Sequence, residues 1–206
     1  MFVQVIQGQV TDTEQAHAAM DRWMEELAPE ASGWLGTTAG VTEDGRFIAL
    51  ARFDSADVAR RNSDSPAQDK WWHEFSSLLS DGRATFHDTE DVVLDVHGNP
   101  DSAGFVQVMQ GAGSNPERAR DVMGKHRDEW AAFRPEILGS EVAMYDGGDY
   151  TMAMYFTTEA EAREGEQKVI PPELQADMDE MNALATGQPD FYDLKHPWLY
   201  SPDSPS

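Results

Sequence analysis

The strongest constraint on this chain is that it repeats itself. Phe2-Val3-Gln4-Val5-Ile6-Gln7-Gly8 recurs as Phe105-Val106-Gln107-Val108-Met109-Gln110-Gly111, a shift of 103 positions with only Ile6 and Met109 differing. The same offset pairs Met20 with Met123, Glu26 with Glu129, Leu35-Gly36 with Leu138-Gly139, Phe47 with Tyr150 and Phe53 with Phe156. One constant offset through so many separated segments indicates duplication of a whole module, which a single matching strand would not.

Each copy reads strand–helix–strand–strand–helix–helix–strand. Residues 2–8 and 105–111 are short, apolar and rich in β-branched residues, and each ends in glycine. A helix follows. In the first copy Asp12 with Gln15 forms a capping box, and Ala16, Ala19, Met20, Trp23 and Leu27 recur at helical spacing. In the second, Asn115-Pro116 starts the helix, and Ala119, Val122, Met123, His126, Trp130 and Phe133 form the equivalent stripe. Strands are expected near 34–43 and 46–53, turning through Asp44-Gly45, with Gly147-Gly148 at the matching turn of the second copy. The later helices break at Ser65-Pro66 and Pro171-Pro172, and closing strands are expected near 85–96 and 189–195.

The fold class is therefore α+β, two ferredoxin-like βαββαβ modules in one chain. The expected boundaries are 1–97 for the first module, 98–104 for a linker, 105–200 for the second module and 201–206 for a frayed tail, with Trp198-Leu199-Tyr200 able to dock on the body. The strands are apolar on both faces. Helices can cover only one face, so the second copy is expected to cover the other.

Composition narrows the function classes. A formal net charge of −23, from 38 Asp+Glu against 15 Lys+Arg, repels phosphate backbones and anionic headgroups, so neither nucleic acid nor a membrane is an expected partner. With 40% hydrophobic residues the chain has material for a core. The absence of cysteine removes disulfides, thiolate metal sites and cysteine nucleophiles. No signal segment or membrane-length apolar run is found, which makes a cytoplasmic location the expectation. Exposed sheet edges leave a homodimer open.

The opening strand, the hairpin leading to Phe53-Asp54, and the Ser65-Pro66 break followed by Trp71-Trp72-His73 resemble the dimeric α+β barrel superfamily and, within it, the antibiotic-biosynthesis-monooxygenase-like (ABM-like) group. The resemblance covers both copies and implies a single-chain dimeric α+β barrel, a pseudo-dimer in which sheet pairing usually made between two chains is internal. It implies a cofactor-independent monooxygenase acting on a small aromatic or polyketide-like compound in a pocket between helices and sheet. A non-catalytic or stress-associated protein holding a small apolar ligand is the alternative. Haem binding or degradation is a further one, although haem-degrading relatives carry Asn on the first strand where this chain has Gln4 and Gln107.

The candidate catalytic residues are His73, His126 and Asn62, and the candidate substrate-binding residues are Trp23, Trp72, Trp71, Gln4 and Gln107. His126 takes the place of Trp23, either as a core histidine or as a proton carrier in a pocket. Trp71-Trp72-His73 becomes Leu174-Gln175-Ala176 in the second copy, so a single pocket is expected in the first. Gln4 and Gln107 need partners on strands expected to be buried, from the backbone or from a ligand. The six histidines include no i, i+4 metal pair, no metal site is expected, and no dinucleotide or phosphate-loop motif is present. The methionines of the second copy read as adaptable packing.

Overall fold

The computed structural model describes residues 1–202; the tail expected to fray at 201–206 lies, from 203 onward, outside the described residues. The chain divides into two compact units. One is Met1–Val92 with the segment from His196 onward, and the other is Val93–Lys195. Each holds one five-stranded antiparallel sheet, and the fold is α+β as expected.

The first unit runs β1 (Phe2–Gln9), α1 (Thr13–Glu26), β2 (Trp34–Val41), β3 (Arg46–Phe53), α2 (Ala56–Ser63), α3 (Pro66–Ser76) and β4 (Thr85–Thr89). The expected capping box forms: Asp12 Oδ1 accepts from the Gln15 backbone N–H at 3.0 Å, and Gln15 Nε2 donates back to Oδ2 at 2.8 Å. Gly45 adopts φ +84 in the tight turn between β2 and β3. Ser55 and Ser65 cap α2 and α3, with Pro66 opening the latter.

The second unit repeats the plan as β5 (Val92–Val96), β6 (Phe105–Ala112), α4 (Pro116–Met123), α5 (Arg127–Phe133), β7 (Ile137–Met144), β8 (Asp149–Phe156), α6 (Glu159–Glu166), α7 (Pro172–Leu184) and β9 (Asp190–Leu194), and β10 (Trp198–Tyr200) follows. Two expectations are corrected. The closing strand expected near 85–96 is two strands, because the polar Glu90-Asp91 pair breaks the run. The first helix of the second copy is also not continuous: where α1 runs 14 residues, its counterpart stops at Met123 and resumes at Arg127.

Strand order is β10-β2-β3-β1-β4 in one sheet and β5-β7-β8-β6-β9 in the other. Thus β5, which follows the first copy in sequence, finishes the second sheet, while β10, which follows the second copy, finishes the first. The repeated Leu-Gly pairs sit where these edge strands arrive. A register shift falls between Trp34 and Gly36, and another between Ile137 and Gly139. A Cβ on Gly36 would stand 2.8 Å from the Tyr200 carbonyl oxygen, and one on Gly139 would stand 2.8 Å from that of Asp95. Only glycine allows either close approach.

In the first unit the helix-facing strand residues Phe2, Phe47, Ala49, Ala51 and Phe53 share one buried cluster with Ala16, Ala19, Met20 and Trp23 of α1 and Phe75 of α3. Burying such side chains contributes roughly 1.5–3 kcal/mol each for the large ones. Val3, Val5, Ile48 and Leu50 point the other way and are fully buried as well. No helix among the described residues is long and apolar enough to cross a membrane.

Candidate functional site

The space between helices and sheet is treated differently in the two copies. In the first it is filled by rings. Trp23 is buried, meets Trp34 edge-on at 5.0 Å, and donates its indole N–H to Gln68 Oε1 at 2.7 Å. Trp71 stacks on Phe75 at 5.1 Å and donates to the Ala19 carbonyl at 2.8 Å, fastening α3 to α1. Trp72 packs on Phe75 at 5.8 Å, on Trp71 at 6.2 Å and on Phe86 at 5.3 Å, while Phe47 extends the cluster against Phe75 and Trp198. These rings pack on one another where a ligand pocket was expected. His73 lies exposed on α3, and Asn62 lies half-buried on α2. The structure does not bring either against the other candidates.

Gln4 and Gln107 find their partners across the sheet. Gln4 stands opposite Asp88 and donates to its Oδ1 at 3.1 Å; Gln107 stands opposite Asp193 and donates at 2.8 Å. Arg163 takes the remaining Asp193 oxygen, with its guanidinium 5.2 Å from the Phe105 ring centre. Both carboxamides thus tie the first strand of a module to its edge strand.

His126 does not continue an apolar stripe. It is a left-handed residue at φ 47, ψ 33, the sole non-glycine positive φ among the described residues. Such a conformation costs about 1–2 kcal/mol and needs compensation. Compensation comes from α7, where Asp177 Oδ2 lies 2.8 Å from His126 Nδ1. That bond raises the imidazole pKa against the opposing effect of desolvation. The buried Asp177 carboxyl is held below its ordinary value, first by His126, with help from the Trp130 indole. The adjacent Lys125 donates to Glu180 at 3.0 Å, and Arg118 also binds Glu180. At the break, the position that Trp23 holds as the anchor of α1 is taken by His126, which turns toward Asp177 of α7. A shallow polar trough beside it is lined by Asp95, His97, His126, Arg127, Asp128 and Glu129. Its charges are largely paired, since Asp95 bonds both His97, at 3.0 Å, and Arg127.

The cleft that remains open lies in the second copy, between the α4 and α7 helices and the sheet. It measures about 90 Å³ and is walled by Met109, Met123, Met144, Met152, Met181 and Tyr150, with Ala119, Val142 and Leu184. Two titratable groups touch it. Asp149 is exposed, whereas Tyr150 is half-buried, and burial raises its phenol pKa. His126 lies in the break between α4, which ends at Met123, and α5, while Asp177 precedes Met181 by one turn of α7, so the ion pair ties that break to a helix that walls the cleft. No group of three or more His, Asp or Glu able to hold a metal occurs among the described residues. An open cleft is thus present in the second copy, whereas the single pocket was expected in the first. The repeat alignment carried a signal at particular positions: Ile6 and Ala49 become Met109 and Met152, while Trp23 and Trp71 become His126 and Leu174.

No protein-family model matches this sequence, and no curated protein matches it. Solved structures do match over the whole chain. A candidate monooxygenase of Lactobacillus acidophilus NCFM superposes with TM-score 0.75 at 10% identity, covering 97% of this chain and 95% of that one. A second candidate monooxygenase, from Fusobacterium nucleatum, gives 0.73 at 10% identity over 98% and 94%. An anthrone oxidase-like protein gives 0.66 at 9% identity over 96% and 92%. These likenesses establish the fold alone: two similar α+β modules in one chain, each with a five-stranded sheet.

Proposed function

We propose that the second module binds a small apolar or aromatic molecule in its methionine-walled cleft and oxygenates it without a cofactor. The observation that carries this reading is the cleft itself, an open apolar space between helices and sheet at the position where the first module packs aromatic rings. The monooxygenase and anthrone oxidase-like names of the whole-chain structural neighbours support the reaction class.

In this reading a methylene flanked by activating aromatic groups loses a proton, and the carbanion reacts with dioxygen directly. Overall, CH2 and O2 give C=O and H2O, so the substrate supplies the electrons. His126 lies outside the cleft lining, so in this reading it takes the proton through water; Asp177, bonded to Nδ1, orients the ring and stabilises the imidazolium that forms. Activity then increases with pH as the imidazolium, whose pKa Asp177 raises, gives up its proton.

Oxygen uptake with an anthrone-type substrate tests this. Ala119→Phe, which fills the cleft, is expected to abolish uptake. His126→Ala is expected to reduce it at least tenfold, and His73→Ala to leave it unchanged. Uptake that survives Ala119→Phe rejects the site. One observation favours a non-catalytic binding protein as the second reading: the cleft lining contains no imidazole. Ligand retained in native mass spectrometry, with no turnover across a substrate panel, would select that reading.

A further inference from the structure

The cleft carries one polar group that packing does not explain. Tyr150 stands opposite Gly111 in the pairing of β6 with β8, and its ring lies over that glycine. A Cβ at Gly111 would come within 2.9 Å of the ring carbon Cζ and 2.7 Å of the phenolic oxygen. The ring is thus seated where its neighbour has no side chain. Its hydroxyl is not accounted for. Among the described residues no side chain or backbone group pairs with it, and its cleft neighbours include Met109, Met144 and Met152. The hydroxyl is not among the fully buried polar atoms, so it is open to a partner that enters the cleft.

The first module shows that the oxygen is not needed to fill this position. There Phe47 stands opposite Gly8 in the same register. Leu79 covers that glycine, a Cβ on which would lie 2.9 Å from Leu79 Cδ2, while the Phe47 ring packs on Phe75. A bare phenyl ring suits the strand position. The second module differs by one hydroxyl and by the open space beside it.

We propose that the Tyr150 hydroxyl sets the ligand specificity of the cleft by donating a hydrogen bond to a carbonyl oxygen of a neutral, otherwise apolar ligand. This rests on the cleft being the binding site. Neutrality follows from charge: Asp149 lines the same cleft, and the chain carries a formal charge of −23, so a carboxylate or phosphate ligand is repelled. Burial, which raises the phenol pKa, keeps the group protonated and hence a donor at neutral pH. An aryl ketone satisfies both the methionine walls and the hydroxyl.

Isothermal titration with acetophenone and with ethylbenzene, close in shape but lacking the oxygen, tests the assignment in wild type, Tyr150→Phe and Ala119→Phe. Tyr150→Phe should weaken acetophenone about five- to tenfold, the loss of one net hydrogen bond, and leave ethylbenzene unchanged. Equal changes for both probes, or none for acetophenone, overturn the role of the hydroxyl while leaving the cleft intact as a site. Failure of both probes to bind wild type, or binding that survives Ala119→Phe, overturns the cleft reading and this assignment with it.

Discussion

The two modules share a plan and differ in what occupies the space between helices and sheet. In the first, α1 is continuous and Trp23, Trp34, Phe47, Trp71 and Phe75 pack there as one body. In the second, the matching helix breaks at His126, and methionines surround a cleft with a phenol at its side. Duplication separates two demands that a single module must meet together: one copy can maximise burial, and the other can retain a void and its polar groups. A cavity forgoes contacts that a filled core would make. The second module therefore gives up packing at the place where a ligand can restore it.

Substitutions can break or sharpen this contrast, and the largest effect belongs to the filled side. Trp23→Ala should destabilise by about 3–5 kcal/mol, because it opens a cavity and strands the Gln68 carboxamide. Met123→Ala, on the cleft wall, should remain below about 2 kcal/mol. Urea unfolding measures both, and equal losses would remove the distinction between the modules. Exchanging the paired aromatics comes next. Phe47→Tyr inserts a hydroxyl among Phe75 and Trp198 and should cost about 1–3 kcal/mol, whereas Tyr150→Phe should lie within about 0.5 kcal/mol of wild type.

The ion pair gives an effect defined by pH. His126 has a raised pKa when folded, so its contribution is complete below the ordinary imidazole value of about 6.5 and is lost as pH rises through the folded value. Asp177 has a lowered one, so its contribution is complete above about 3.9 and is lost as pH falls through the folded value. The melting-temperature difference between wild type and His126→Gln should accordingly be greatest from pH 4 to 6.5 and shrink toward alkaline pH. A difference independent of pH would mean that the imidazole acts through packing alone. Gln4→Leu and Gln107→Leu should show the smallest effects, about 0.2–1 kcal/mol each. Gln107 should lie at the upper end, since its Asp193 partner also holds Arg163.

Much of the architecture was legible in the sequence because a constant offset and turn chemistry act locally. Asp12, Asn115 and Ser65 cap the helices expected of them, and Gly45 and Gly147-Gly148 make the expected turns. Helical periodicity at Ala119, Val122, Met123 and His126 was misleading, because it does not register attraction from acids more than 50 residues away on α7. A dense aromatic motif, Trp71-Trp72, drew attention to the first module as the pocket. Clustered rings fill space as readily as they line it, and only their mutual distances distinguish the two outcomes. The pairing of Phe47 with Tyr150 was visible as similarity. Its significance lay in the single oxygen by which the two residues differ.

The exchange of edge strands has a consequence for how the protein is made. β2 acquires its outer neighbour only when β10 emerges, roughly 150 residues later in the chain. At ordinary synthesis rates of about 5–20 residues per second, the outer edge of β2 waits roughly 8–30 s for that strand. The second sheet has no such interval, because β5 is synthesised before β7. Nascent chains of the first copy thus spend their early life with an open template for mispairing, and slow translation late in the message would prolong their exposure.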